Sequence, residues 1–237
     1  MKATQFSVLS VLSGGLMLAG LSAADKAPPP APTKITYFDG ETVPSGTNPG
    51  GAIYTFVDSA DPAAAQIAQL GYRTIDQIGS LLIDEVKREL ATKETSLAVS
   101  IMHLKTMELP KPMAGQPGIT AIKRTSLMLR DPNNAPDGAD WAALDKIHKQ
   151  LMADQSPDKM LVQRIVQPGK PVEWRVYRPI ATSQSCLACH GDPKTFRPGV
   201  KEALDQQYPE DKAIDYSAQE WRGVIRVSIT PAAEPAK

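Results

Sequence analysis

Two cysteines and three histidines are all the thiol and imidazole chemistry that 237 residues carry. At most one disulfide, or half of a structural zinc site, can come from so few sulfurs. Aromatic residues make up only 5% of the chain and there are 21 prolines, so a large aromatic core is excluded and many loops are expected. Such a core gains from filling by something other than side chains. Charge of one sign is also lacking: Lys plus Arg and Asp plus Glu both number 26, without a long block of either. This gives no footprint for nucleic acid or an anionic membrane. No long apolar run follows the first 24 residues, and no internal repeat is present.

What is present begins with Met1 and Lys2, followed by the apolar stretch FSVLSVLSGGLMLAGLSAA and an abrupt polar turn at Asp25 and Lys26. That layout reads as a secretory signal peptide over residues 1–24. The competing reading is an uncleaved anchor, disfavoured because paired glycines and serines dilute the run. Export places the mature protein in the periplasm, with membrane association only if the signal is retained. Residues 25–60 read as a proline-rich spacer and an irregular N-terminal extension, with AIYTFV as a candidate strand. One domain is expected over 61–230, and 231–237 is a frayed tail.

Within that domain, Ile75, Ile78, Leu82, Val86 and Leu90 recur at helical spacing after a cap at Asp61 and Pro62. Thr95 restarts a second helical segment to about Glu108, which Pro110 and Pro112 close. Residues 119–131 alternate as a strand, and PNNAPDGAD after them reads as a loop. WAALDKIHKQL returns to helical spacing. KMLVQRIV and VEWRVYRPI flank the turn QPGKP as a β-hairpin, and EWRGVIRVSI forms a closing strand. Helices followed by mostly antiparallel strands make an α+β fold.

Both cysteines lie in SCLACHGDP, residues 185–193. A redox dithiol needs its first cysteine at a helix N-terminus, but Gly191, Asp192 and Pro193 oppose a helix there. Zinc needs four ligands, and His190 sits beside Cys189 where the two rarely reach one tetrahedral ion. Covalent haem attachment uses all three residues at once. Cys186 and Cys189 form thioethers to one porphyrin edge, and His190 is carried under the iron as an axial ligand. One haem c is therefore the expected cofactor.

Whether the iron has a second protein ligand decides between electron transfer and an open site for gases or peroxide. His103 shares a helical face with Val99 and Met107, which suits it to approach a flat apolar cofactor. Met107 is the alternative ligand. His148, within DKIHKQ, reads as a surface or helix-packing residue.

Four ordered stretches, RTSLMLRDPNNAPD (124–137), YRPIATSQSCLACHGDP (177–193), YPEDKAIDY (208–216) and WRGVIRVSI (221–229), resemble the Tll-like single-haem c-type family over roughly residues 70–230. The resemblance implies a PAS-like antiparallel sheet with N-terminal helices packed against it and one covalently bound haem. It also implies a redox, gas-sensing or electron-carrying role. In the family a cysteine about twenty residues before RTS can be the distal ligand. That offset falls on His103 here, which favours bis-histidine iron. Ile214 and Asp215 stand where the family more often has Thr-Gly before Tyr, and residues 35–69 have no counterpart. Haem propionates need donors, for which Arg124 and Arg222 are the candidates.

These expectations describe a periplasmic monohaem cytochrome with six-coordinate iron, exchanging electrons with a redox protein or small-molecule donor or acceptor. The alternatives are a sensor whose distal ligand yields to NO or CO, and a small peroxidase. The peroxidase requires His103 to act as an acid or base rather than as a ligand. A non-enzymatic role is the more economical reading.

Overall fold

In a computed structural model of the chain, the described residues are 51–91 and 117–231. The helical segment from Thr95 and its ligand candidates His103 and Met107 lie outside them, as do residues 1–24. No helix among the described residues is long and apolar enough to cross a membrane.

The hairpin sits at the middle of the fold. β3 (Leu161–Val166) and β4 (Glu173–Ala181) pair antiparallel around Gln167-Pro168-Gly169-Lys170, where the Lys170 N–H donates to the Gln167 carbonyl at 3.1 Å. Proline presets the second turn position, and Gly169, at φ +73°, supplies the left-handed residue that must follow it. β5 (Trp221–Thr230) pairs with β4 on one side and with β2 (Gly118–Thr125) on the other, so it is internal rather than closing. β1 (Ile53–Val57) joins the far edge beside β3, giving the fully antiparallel order β1-β3-β4-β5-β2. The candidate strand in AIYTFV is thus an edge strand, held by ladder pairs from Ile53 with Val166 to Val57 with Val162.

Alternation along the central strands gives the sheet two different faces. Trp174, Val176, Ile225, Val227 and Ile229 point to α1 (Pro62–Ala91), where Ala64, Ile67, Ala68 and Ile75 recur at helical spacing and are buried against them. Burying each large aliphatic side chain contributes roughly 1.5–3 kcal/mol. Asp61 starts the helix by accepting the Ala63 N–H at 2.8 Å. Gly71 governs how closely α1 approaches, since a Cβ there would lie 2.4 Å from the Val176 side chain.

The opposite face carries α2 (Gly138–Met152), whose Ala143, Leu144, Ile147 and Leu151 cover Leu161, Tyr177 and Val224. The helix begins three residues before the expected position. Asp137 and Asp140 form a reciprocal capping box that draws Gly138 and Ala139 into the first turn. His148 is buried on this helix, its ring 6.5 Å from that of Trp221, and so is a packing residue rather than a surface one.

Asp140 is fully buried and also anchors a charged cluster. It accepts from Arg175 at 3.0 Å, from the Tyr177 hydroxyl at 3.2 Å and from Arg226 at 3.2 Å, with Lys123 at 3.3 Å. Arg175 also reaches Asp137 at 2.6 Å and Glu173 at 2.7 Å. Burial pushes both outer carboxyls up, but the Arg175 guanidinium outweighs it and holds Asp137 and Glu173 below their usual ranges.

β2 stops at Thr125 although the alternating pattern runs on to Asp131. Beyond it, Ser126 donates to the Met128 carbonyl at 2.6 Å, and Arg222 donates to Ser126 Oγ and the Met128 carbonyl at 2.6 and 3.0 Å. These bonds replace the ladder.

Gly71→Ala should destabilise the protein by about 1–2 kcal/mol, since overpacking against Val176 exceeds the gain in helix propensity. Gly79→Ala, on the same helix with nothing within 4 Å of its Cβ, should stabilise it by up to about 1 kcal/mol. Thermal denaturation of the pair tests the close approach. The depressed carboxyls contribute stability that is complete above the ordinary Glu value of 4.5 and is lost as pH falls through the lowered folded values. The melting temperature should therefore drop below about pH 4.5, with a shallower slope in Asp137→Asn.

Candidate functional site

The cysteine motif folds as α3 (Leu187–His190), one turn between β4 and the segment that leads to β5. Cys186 is its N-cap, and the Cys189 and His190 N–H groups both donate to the Cys186 carbonyl, at 3.2 and 2.9 Å. The offsets of three and four residues place Cys186, Cys189 and His190 on one helical face. The turn ends at Gly191, where a Cβ would stand 2.8 Å from the Leu187 carbonyl. Asp192 then caps a 3-10 turn at Pro193–Thr195. Both thiols are free of disulfide bonding. Among the described residues no group of three or more His, Cys, Asp and Glu side chains is placed to hold a metal ion.

Three consecutive carbonyls at the end of this turn have no acceptor role within a helix, and each is satisfied from elsewhere. The Cys189 carbonyl accepts from Arg130 Nη2. The His190 carbonyl accepts the Tyr216 N–H at 2.9 Å, and the Gly191 carbonyl accepts the Asp215 N–H at 2.9 Å. The segment 211–216 thus lies along the turn.

That segment also orients the imidazole. His190 Nδ1–H donates to the Ala213 carbonyl at 2.7 Å, which leaves Nε2 as the basic nitrogen. The Tyr216 ring stands edge-on, with ring centroids 6.3 Å apart. Loss of surrounding water, followed by the charges of Arg222 and Arg130, pushes His190 well below the ordinary histidine range, against the opposing pull of Ala213. The imidazole is neutral at neutral pH, as a metal ligand must be. Burial likewise raises the Cys189 thiol.

Three arginines surround the turn. Arg130 donates through Nε to Asp211 at 2.9 Å and through Nη2 to the Ala213 carbonyl at 3.3 Å. Arg222 stacks over Tyr216 at 5.4 Å, and its buried Nε has no hydrogen-bond partner among the described residues. Arg124 is lowered to about 10 by burial and then by Arg222 and Arg130, with Cys186 acting the other way. None of these influences on Arg124 is a carboxylate. Arg175 and Arg178 are committed elsewhere, to the Asp140 cluster and to Asp76. A cavity of about 150 Å³ opens beside Arg222 and Tyr216, lined further by Met128, Lys212, Trp221 and Gly223.

Cys186, Cys189 and His190 therefore meet Arg124 and Arg222 in one region. Arg130, Asp211, Ala213 and Tyr216 complete it, and sequence reading did not select them. Their signal was present in the RTSLMLRD and YPEDKAIDY stretches, which fold against the cysteine turn.

The Ile214-Asp215 departure also has a structural meaning. Asp215 has φ +61°, a left-handed conformation that glycine adopts freely and aspartate tolerates. Asp215→Gly should preserve the fold and change stability by no more than about 1 kcal/mol, whereas Asp215→Val should cost roughly 1–2 kcal/mol. Denaturant titration of the two variants distinguishes backbone strain from a side-chain role.

The crystal structure of the cyanobacterial heme-protein Tll0287 matches 48% of this chain and 63% of its own length, at 25% identity and a TM-score of 0.36. The match therefore covers less than two thirds of that protein. No curated protein matches the sequence. The Tll0287-like family model matches residues 58–230, from just after β1 through β5, so residues 58–69 do have a counterpart there, against expectation, and the chain belongs to that family.

Proposed function

We propose that this chain is an exported protein carrying one covalently attached haem, with six-coordinate iron, and that it serves electron transfer or redox sensing. The observation that carries the reading is the His190 Nδ1–H bond to the Ala213 carbonyl at 2.7 Å. It fixes the tautomer whose Nε2 can bind a metal, on the same turn as two unpaired thiols. Membership of a family named for a protein described as a heme-protein points the same way.

The residues fit a haem in kind as well as in spacing. Cys186 and Cys189 supply the two sulfurs for thioether bonds, and His190 supplies a neutral imidazole. Arg124 and Arg222 form no ion pair with a carboxylate among the described residues, although Asp211 acts on Arg222 from a distance, and propionates would provide a direct partner. When bound, the group supplies a one-electron iron couple. The protein's part is to hold the imidazole at a fixed angle, to screen it from water and to place positive charge at one edge.

His103 is the proposed distal ligand, with Met107 as its substitute, which gives bis-histidine iron of lower potential than a histidine and methionine pair. The fold is PAS-like in this reading. The electron donor or acceptor is a protein or small molecule of the periplasm.

The test is to produce the full chain with a c-type haem attachment system and record its intact mass and its spectra. The expected product gains the mass of one haem and is low-spin in both oxidation states. Cys186→Ala and Cys189→Ala should each lose one thioether, and the double variant should lose covalent haem. His103→Ala should turn the ferric form high-spin. A product with only its polypeptide mass and no Soret band overturns the reading. An unchanged ferric spectrum in His103→Ala moves the distal ligand elsewhere.

A further inference from the structure

The bond that orients His190 rests on a backbone carbonyl in a loop, and a loop carbonyl is not rigid by itself. Ala213 is held from both ends of its peptide geometry. Asp211 Oδ1 accepts the Ala213 N–H at 2.8 Å, while the other oxygen of the same carboxylate accepts Arg130 Nε–H at 2.9 Å. Arg130 Nη2 then donates to two carbonyls, Ala213 at 3.3 Å and Cys189. One of these belongs to the loop and the other to the turn that carries His190. The guanidinium is therefore the tie between the imidazole and its acceptor. The ion pair is largely enclosed, with 15% and 10% side-chain exposure, so solvent does little to weaken it.

We propose that Arg130, oriented by Asp211, is the positioning residue of this site: it clamps the Ala213 carbonyl onto His190 Nδ1–H and so fixes the imidazole tautomer and ring angle. The clamp needs a fork. Three acceptors lie in different directions, and a planar guanidinium reaches all of them through Nε and one terminal nitrogen. An ammonium is a point donor on a flexible stem, so lysine retains the charge and loses the geometry. Arg130 hydrogen-bonds to backbone carbonyls and to Asp211; its charge acts on His190 through space, and its hold on the ring's orientation passes through Ala213.

These hydrogen bonds are the polypeptide's own, and the clamp can therefore be tested independently of haem attachment. Three histidines make the experiment simple to read. The full chain, labelled with ¹⁵N at histidine, is compared before haem loading as wild type, Arg130→Lys, Arg130→Gln and Asp211→Asn. Ring-nitrogen shifts report the tautomer, and exchange of the Nδ1 proton reports the bond to Ala213. Wild type should show His190 as a single Nδ1–H tautomer with a protected proton. Arg130→Lys and Arg130→Gln should mix tautomers and speed exchange by about tenfold, corresponding to loss of one ordinary hydrogen bond. Asp211→Asn, which keeps an acceptor oxygen, should fall between. The buried His148 signal serves as the folding control, since it lies on α2 and takes no part in the bonds among Arg130, Asp211, Ala213 and Cys189. A single, protected His190 tautomer in Arg130→Lys overturns the proposal, as does a His190 change that always accompanies an equal change at His148. Mass and optical spectra of the haem-loaded variants report attachment separately.

Discussion

The pairing of β4 with β5 is the constraint on which the rest of the fold depends. Their ladder runs from Trp174 opposite Ile229 to Ala181 opposite Trp221, through the centre of the sheet. Because successive residues alternate faces, one pairing serves two purposes. Val176 and Val227 are presented to α1, while the neighbouring Arg175, Tyr177 and Arg226 are presented to Asp140. A slip of one residue in either strand would turn its arginines toward α1 and its valines toward Asp140. The same two strands bound the cysteine turn. Thr182 closes its base: its N–H donates to the Glu220 carbonyl at 2.9 Å, and its carbonyl accepts from Gln219 at 2.8 Å.

The two charged regions of the molecule are built on opposite principles. On the α2 face, Asp137, Asp140 and Glu173 are met by Arg175, Arg226 and Lys123, so buried charge is balanced and the cluster is a closed structural network. Beside the cysteine turn, Arg124, Arg130 and Arg222 are drawn together, and among the described residues Asp211 is the carboxylate that forms an ion pair there, with Arg130. Enclosed like charges repel and are tolerated only where something compensates them. That imbalance among the described residues distinguishes the two regions more clearly than any single residue does.

Periodic elements were legible in the sequence because their physics is local. The stripe that includes Ile75 and Ile78 defines α1, and Pro168-Gly169 defines the hairpin. The expected strand is longer than β2 because alternation persists through Leu127 and Leu129, whereas beyond Thr125 bonds from Ser126 and from Arg222, the latter distant in sequence, take the place of the ladder. The start of α2 was missed because Gly138 and Asp140 favour loops on average, even though the spacing of Asp137 and Asp140 already specified a capping box. Cys186, Cys189 and His190 were readable because three reactive side chains adjoin one another. The acceptor of His190 was not, since a backbone carbonyl at Ala213 carries no residue-type signature.

The cysteine turn draws its support from far along the chain. Its imidazole is bonded 23 residues downstream, and the carbonyl before it is bonded to a side chain 59 residues upstream. A short peptide carrying SCLACHGDP would keep the sulfur spacing and leave the ring free to rotate. The motif is thus not portable: transplanted into another scaffold it would bring its two thiols and its imidazole without the bond that fixes the ring's orientation and tautomer.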